Sequence, residues 1–177
     1  LAYDPYPNPN LKLNYVSLEE LFQQSDIISL HCPLTEQTKH IINQNSIDLM
    51  KDGVVILNTS RGGLIESNAL LNSLKSGKIK GAGLDVYEEE ADLFFEDKSG
   101  SIIQDDVLSL LVTLPNVIIT SHQGFLTEEA LSNIAKTTLD NLDEFFEDKL
   151  LTNEICYMCK DGPNSFECRH KHQKRCF

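Results

Sequence analysis

No stretch of the 177-residue chain approaches the ~20 consecutive apolar residues that a membrane-spanning helix needs. The opening residues also lack the basic-then-apolar arrangement of a secretory leader. Positive charge is scarce: 15 Lys and Arg stand against 27 Asp and Glu, for a formal net charge of -12 and a pI near 4.7. Such a field repels a phosphate backbone, so neither a membrane nor nucleic acid is an expected partner. Cysteine is nearly missing from the body of the chain, where only Cys32 occurs, which suits a reduced, cytoplasmic protein without a disulfide framework. At 41% hydrophobic the chain can fill one sizeable core, and its length argues against several independent domains.

What is present alternates between strand and helix patterns. Leu1 to Asp4 reads as the end of a strand running into the turn-rich Pro5 to Asn10. Ser17 and Glu20 form a capping-box pattern before the apolar Leu18, Leu21 and Phe22. Asp26 to His31 reads as a buried strand ending in the loop Cys32-Pro33. Ser46 is expected to cap a helix through Met50 that Gly53 closes, and Val54 to Leu57 to form a strand buried on both faces. A helix from Ser67 to before Gly77, a strand from Ile79 to Val86, a short helix over Asp105 to Leu111 and a strand over Val117 to Thr120 follow. Thr127 is the expected cap of a long amphipathic packing helix carrying Leu131, Ile134, Leu139, Leu142, Phe145 and Phe146.

This alternation predicts βαβ units and a Rossmann-like α/β fold, a parallel sheet with helices on both faces. Ligands of such sheets bind beyond the carboxyl ends of the strands. Asp4, Cys32, Pro33, Thr59, Ser60, Arg61, Asp85 and His122 all fall at expected strand ends. In Asn58-Thr59-Ser60-Arg61-Gly62-Gly63 an arginine ends a buried strand, with glycines behind it that let a ligand come close to the backbone. An arginine, a glutamate and a histidine together make an acid-base device for reducing a carbonyl. The arginine pairs with a 2-oxo acid's carboxylate, the histidine protonates the forming alkoxide, and the glutamate sets the histidine's tautomer and raises its affinity for a proton. Taken singly, each has a plainer reading: a loop arginine, a solvated acidic turn at Glu88 to Glu90, and a strand-end histidine.

The run Met50 to Glu66, with Asn58-Thr59-Ser60-Arg61-Gly62-Gly63 at its centre, resembles the long signature of the D-isomer-specific 2-hydroxyacid dehydrogenases. Gly83-Leu84-Asp85-Val86-Tyr87-Glu88-Glu89-Glu90 and Ser121-His122-Gln123-Gly124-Phe125 resemble that family's other two motifs, in the same order and spacing. Asp92 to Lys98, followed by Ile102 to Asp106, is similar to the bacterial fermentative D-lactate dehydrogenase branch. The resemblance runs from Leu1 to about Leu151. It implies that Arg61 binds and polarises the substrate, that His122 exchanges the proton, and that Glu90 is its partner. It implies NAD as cofactor, with Asp4 on the adenosine ribose and Cys32, Pro33, Thr38, Thr59, Ser60 and Asp85 lining the site. The implied reaction is pyruvate with NADH to D-lactate with NAD, in a homo-oligomer when intact, with small 2-oxo or 2-hydroxy acids as the substrate class.

Glu66 stands where the family usually has Asp, and Gly124 where it often has Ala. No Gly-x-Gly-x-x-Gly precedes Asp4, so the fold is expected to lack its first strand and Gly-rich turn. The expected organisation is a partial NAD-binding domain over 1–121, a histidine loop and long helix over 122–150, and a tail over 151–177. The chain is expected to be a C-terminal fragment, inactive alone. The tail differs in composition: it holds five basic and three acidic residues, leaving -14 for the rest, and four of the five cysteines. Cys156, Cys159, Cys168, His170, His172 and Cys176 are of the types zinc favours, but their spacing fits no zinc template, so no metal site is expected and the tail reads as disordered or foreign to the native protein. Two other readings remain: a non-catalytic module of the same fold that senses NAD(H), and a metal-binding interaction module acting through the tail.

Overall fold

The computed structural model describes residues 1–90, 100 and 104–155. The Cys/His positions of the tail from Cys156 onward lie outside the described residues, as does most of the segment that resembles the D-lactate branch. The chain forms two compact units, Leu1–Gly124 and Phe125–Phe177.

In the first unit the elements run α1 (Leu18–Gln24), β1 (Ile27–Leu30), α2 (Gln44–Leu49), β2 (Val54–Asn58), a single 3-10 turn (Gly62–Leu64), α3 (Ser67–Ser76), β3 (Ile79–Leu84), α4 (Asp106–Leu111) and β4 (Val117–Ile119). The four strands form one parallel sheet in the order β1-β2-β3-β4. Successive parallel strands joined through helices are the βαβ arrangement expected of a Rossmann-like fold. All four carboxyl ends therefore lie along one edge.

Local chemistry sets the boundaries. Ser17 Oγ accepts the Glu20 N–H at 3.1 Å, so α1 starts where the capping pattern predicts. For α2 the cap is Asn43 rather than Ser46. Asn43 Oδ1 accepts from Ser46 N and Ser46 Oγ accepts from Asn43 N, which makes Ser46 the inner half of a reciprocal box. The helix closes at Met50, while Gly53 (φ 83°) makes the turn into β2. Gly77 (φ 82°) ends α3 in the left-handed conformation that glycine adopts without a Cβ penalty.

Burial is one-sided along the strands. Ile28, Leu30, Val54, Ile56, Ile79, Ala82 and Leu84 are buried and join Ile47, Leu64, Leu70, Leu74 and Leu111 in the core. Their alternate neighbours point the other way, and Ile27 (62%) and Ile118 (69%) are widely exposed. Strand β2 is thus not buried on both faces: Val55 is half-buried and Leu57 exposed. A period of two, rather than a continuous apolar interior, governs it.

Leu1 to Asp4 does not add a strand to this sheet. Ala2 forms an isolated bridge with Tyr15, and Asp4 Oδ1 accepts the Tyr6 N–H at 2.7 Å, a turn leading into the proline-rich stretch. Asp4 therefore lies outside the four paired strands, in a turn of its own. In the second unit Thr127 caps α5 (Glu128–Phe146) through the Ala130 N–H, as expected. No residue of α5 is buried, and both carboxylate oxygens of Glu144 receive Thr152 at 2.7 Å, drawing the following chain back onto the helix. Among the described residues no helix is long and apolar enough to cross a membrane.

Candidate active site

The four strand ends carry the polar residues singled out from the sequence onto a common edge, each through a loop with its own bracing. At the end of β2, Asn58 is 1% exposed and spends its side chain on the turn that follows. Its Nδ2 donates to the Arg61 carbonyl at 2.9 Å, and its Oδ1 accepts the Ser60 N–H at 3.1 Å. The Ser60 hydroxyl donates to the Cys32 carbonyl at 2.7 Å, joining this loop to the end of β1. Burial pushes the Cys32 thiol upward, which keeps it protonated. Thr38 closes the β1 loop by donating to the Pro33 carbonyl at 2.6 Å. Thr59 and Arg61 are exposed, and the Arg61 guanidinium donates to the Ser60 carbonyl at 2.7 Å.

Beyond β3 the chain turns tightly through Tyr87, Glu88 and Glu90. Glu90 Oε2 accepts the Tyr87 N–H at 2.9 Å, so the carboxylate is anchored to its own turn. Tyr87 is buried, and its hydroxyl donates to Asp105 Oδ2 at 2.7 Å. Burial, with the neighbouring Asp105 carboxylate, pushes its ionisation far above the ordinary range. This turn is packed directly on the arginine loop. A β-carbon on Gly62 would lie 2.0 Å from the Tyr87 carbonyl oxygen, so only glycine permits the approach.

His122 follows β4 on a loop with two consecutive non-glycine residues in the left-handed region, Ser121 (φ 53°) and His122 (φ 55°). Such residues cost about 1–3 kcal/mol each and persist where the surroundings over-determine them. Asp85 supplies that constraint. Its carboxylate accepts from the Thr120 hydroxyl and from the Gln123 N–H at 3.0 Å, and its carbonyl accepts the His122 N–H. Burial opposes the charge on Asp85, but these donors outweigh it and hold the carboxyl below its ordinary range.

The result is a direct pair: His122 Nδ1 lies 3.0 Å from Glu90 Oε1, with the histidine side chain 33% and the glutamate 16% exposed. An ionised carboxylate only accepts, so Nδ1 carries the proton and the tautomer is set. A histidine held in this way can take up or release a proton at Nε2. The structure therefore joins Glu90 to His122 and places the Arg61 loop against the Glu90 turn. Asp4 takes part in none of these contacts, its carboxylate accepting the Tyr6 N–H, and the Asp85 carboxylate faces the histidine loop. Asn58 is the shaping residue that pattern reading passed over; the signal was an amide at the end of an otherwise apolar run.

The residues that carry these loops lie within a match to a known family. Residues 1–124 match the model of the D-isomer specific 2-hydroxyacid dehydrogenase NAD binding domain. The chain belongs to this family. It is 51% identical over 158 residues to D-lactate dehydrogenase of Escherichia coli, an alignment covering 88% of this chain and 48% of that protein. It is likewise 51% identical over 157 residues to 2-hydroxyacid dehydrogenase A of Aspergillus oryzae, covering 88% of this chain and 45% of the relative. Among solved structures, a D-lactate dehydrogenase from Treponema pallidum superposes with a TM-score of 0.77 at 44% identity, covering 86% of this chain and 47% of that one. The chain thus spans about half the length of the curated relatives it matches.

The strand-end edge offers polar groups and open backbone to a bound ligand. It is polar and exposed at Thr59 and Arg61, and half-buried at Cys32, Ser60 and Asp85. Among the described residues no group of three or more His, Cys, Asp or Glu is arranged to hold a metal ion.

Proposed function

We propose that this chain carries the acid-base half of an NAD-dependent D-2-hydroxyacid dehydrogenase, with pyruvate and D-lactate as its substrate pair. The observation that carries the reading is the His122 Nδ1 to Glu90 Oε1 contact at 3.0 Å, held on a strained loop beside the arginine turn. A module that only binds a dinucleotide has no use for such a pair.

NAD, when bound, takes or supplies the hydride. The chain's own residues do the rest. Arg61 turns its guanidinium from the Ser60 carbonyl to the substrate carboxylate, where two parallel charge-assisted bonds orient the 2-oxo group. His122 donates a proton from Nε2 to the developing alkoxide, and takes it back in the oxidative direction. Glu90 fixes the imidazole through Nδ1 and stabilises its protonated form. Cys32, Pro33, Thr38, Thr59, Ser60 and Asp85 border the cofactor, and Asp4 bonds the adenosine ribose, favouring NAD over its 2′-phosphorylated analogue.

The other half of the relatives' length supplies the second wall of the cleft, so the 177-residue chain alone is inactive. The test joins this chain to the complementary half of the Escherichia coli relative and follows NADH consumption with pyruvate. Turnover that disappears in Arg61→Ala, with none from the chain alone, supports the reading. A folded, NADH-binding joined protein that reduces no 2-oxo acid overturns it.

A further inference from the structure

A second histidine-carboxylate pair, His40 and Glu88, connects the arginine loop with the turn that carries Glu90. His40 Nε2 is 2.5 Å from Glu88 Oε1, and the other oxygen, Oε2, accepts both the Ser67 N–H at 3.2 Å and the Ser67 hydroxyl at 3.0 Å. A carboxylate only accepts, so His40 donates from Nε2 and Glu88 receives three donors from two separate segments. Both side chains are largely covered, at 33% and 22% exposure. His40 is itself strained, at φ 52°, and the backbone holds it there. Its N–H donates to the Gly63 carbonyl at 2.9 Å, while its carbonyl receives the Asn43 amide at 2.8 Å.

The consequence is positional. Through its backbone His40 grips Gly63, two residues past Arg61; through its ring it grips Glu88, two residues before Glu90. Ser67, at the start of α3, fixes the other side of the same carboxylate. The arginine loop and the glutamate turn are thereby fastened at two points, the Gly62 to Tyr87 contact and the His40 to Glu88 bond. His40 and Glu88 act on the site through the loops they join, Gly63 on one side and the Glu90 turn on the other, so neither is a catalytic residue.

We propose that His40 and Glu88 are positioning residues that hold the Glu90 carboxylate against His122 in register with the Arg61 loop. The proposal rests on the acid-base reading of Glu90 and His122 for its meaning, but its test needs neither substrate nor cofactor. The readout is the His122 ring Nδ1–H resonance in the 177-residue chain, assigned by its absence in His122→Asn, together with its rate of exchange with water. In His40→Phe, which keeps the volume and removes the donor, and in Glu88→Gln, whose amide cannot accept from both His40 and Ser67, this proton exchanges at least about tenfold faster. That factor corresponds to roughly 1.4 kcal/mol. Protection of the β2 and β3 amides is unchanged in both. His40→Gln, which returns an N–H near the Nε2 position, restores slow exchange. Glu88→Gln is nearly isosteric and decides the matter if His40→Phe does not fold. A His122 ring proton that exchanges at the parental rate in either folded variant overturns the proposal. Absence of turnover in the joined enzyme, with the ring-proton results as expected, leaves the positioning intact and overturns only the catalytic reading.

Discussion

The carbonyl oxygen of Tyr87 occupies the space that a β-carbon on Gly62 would need, 2.0 Å from it. This contact seats the Glu90 turn on the arginine loop, and the obstructing atom is backbone, which cannot swing aside. Gly62→Ala is expected to cost at least about 2 kcal/mol, at the upper end of overpacking penalties. Gly63→Ala is the control. Its β-carbon would meet a Leu34 methyl at 3.1 Å, a side chain that can rotate, and the cost stays below about 1 kcal/mol. Urea midpoints of the two variants measure the difference, and equal midpoints would remove the contact from the account.

Asn58 gives a second prediction. Its amide satisfies the Ser60 N–H and the Arg61 carbonyl from a site that is 1% exposed. Asn58→Leu preserves the volume but leaves both groups without that partner, and an unsatisfied buried polar group costs about 1–3 kcal/mol. A loss of about 2–3 kcal/mol in the unfolding free energy is expected, with faster proteolysis confined to the Thr59 to Gly63 segment. An unchanged midpoint would mean that the loop keeps its shape without the amide.

Much of this was legible beforehand because the relevant signals are local. The caps at Ser17 and Thr127, the closing glycine at Gly77 and the strand ends before Arg61, Asp85 and His122 each depend on a few neighbouring residues. What was not legible depends on contacts between distant segments. Nothing near Leu1 in the sequence shows that Ala2 pairs with Tyr15 instead of the sheet. The β-branched run of β2 gave no sign that its burial alternates, because Val55 and Leu57 read the same whether a face is covered or open. Ser46 looked like a cap because the reciprocal box with Asn43 uses the same residue types in either role. The His40 to Glu88 bond joins residues far apart in sequence, each of which is unremarkable alone.

Asp85 and Glu88 predict how stability responds to acid. Both carboxyls are held below their ordinary range in the folded chain: burial raises them, and their hydrogen-bond donors more than offset it. A depressed folded value means stability that is present above the unfolded value of about 4 and is lost as pH falls through the folded value. Asp85→Asn is therefore expected to cost about 1–2 kcal/mol at neutral pH, the lower part of the range for a hydrogen bond to a charged group because solvent screens this partly exposed carboxylate. The gap between parent and variant should close as the pH drops below about 4. Chemical unfolding at neutral and acid pH checks this, and a gap that stays constant with pH would assign the effect to shape instead of charge.

His122 offers the sharpest separation of stability from chemistry. It sits at φ 55°, in the left-handed region that asparagine tolerates better than most residues, so His122→Asn can keep the loop without added strain. The change removes the imidazole whose Nε2 exchanges a proton with the substrate oxygen while Glu90 orients it through Nδ1. In the enzyme completed with the relative's other half, the proposed role predicts a fall in kcat/KM of about 10²–10⁴, the range for a positioned general acid-base. The unfolding free energy should move by about 1 kcal/mol, the worth of the single hydrogen bond to Glu90 that is lost. NADH affinity should also hold, because the imidazole is needed for the proton and not for the dinucleotide. Glu90→Gln should lose less: the amide oxygen still accepts from Nδ1, while the charge that stabilises a protonated ring is gone. A His122→Asn enzyme with parental turnover, or a Glu90→Gln enzyme more impaired than it, would break the assignment of the proton to Nε2.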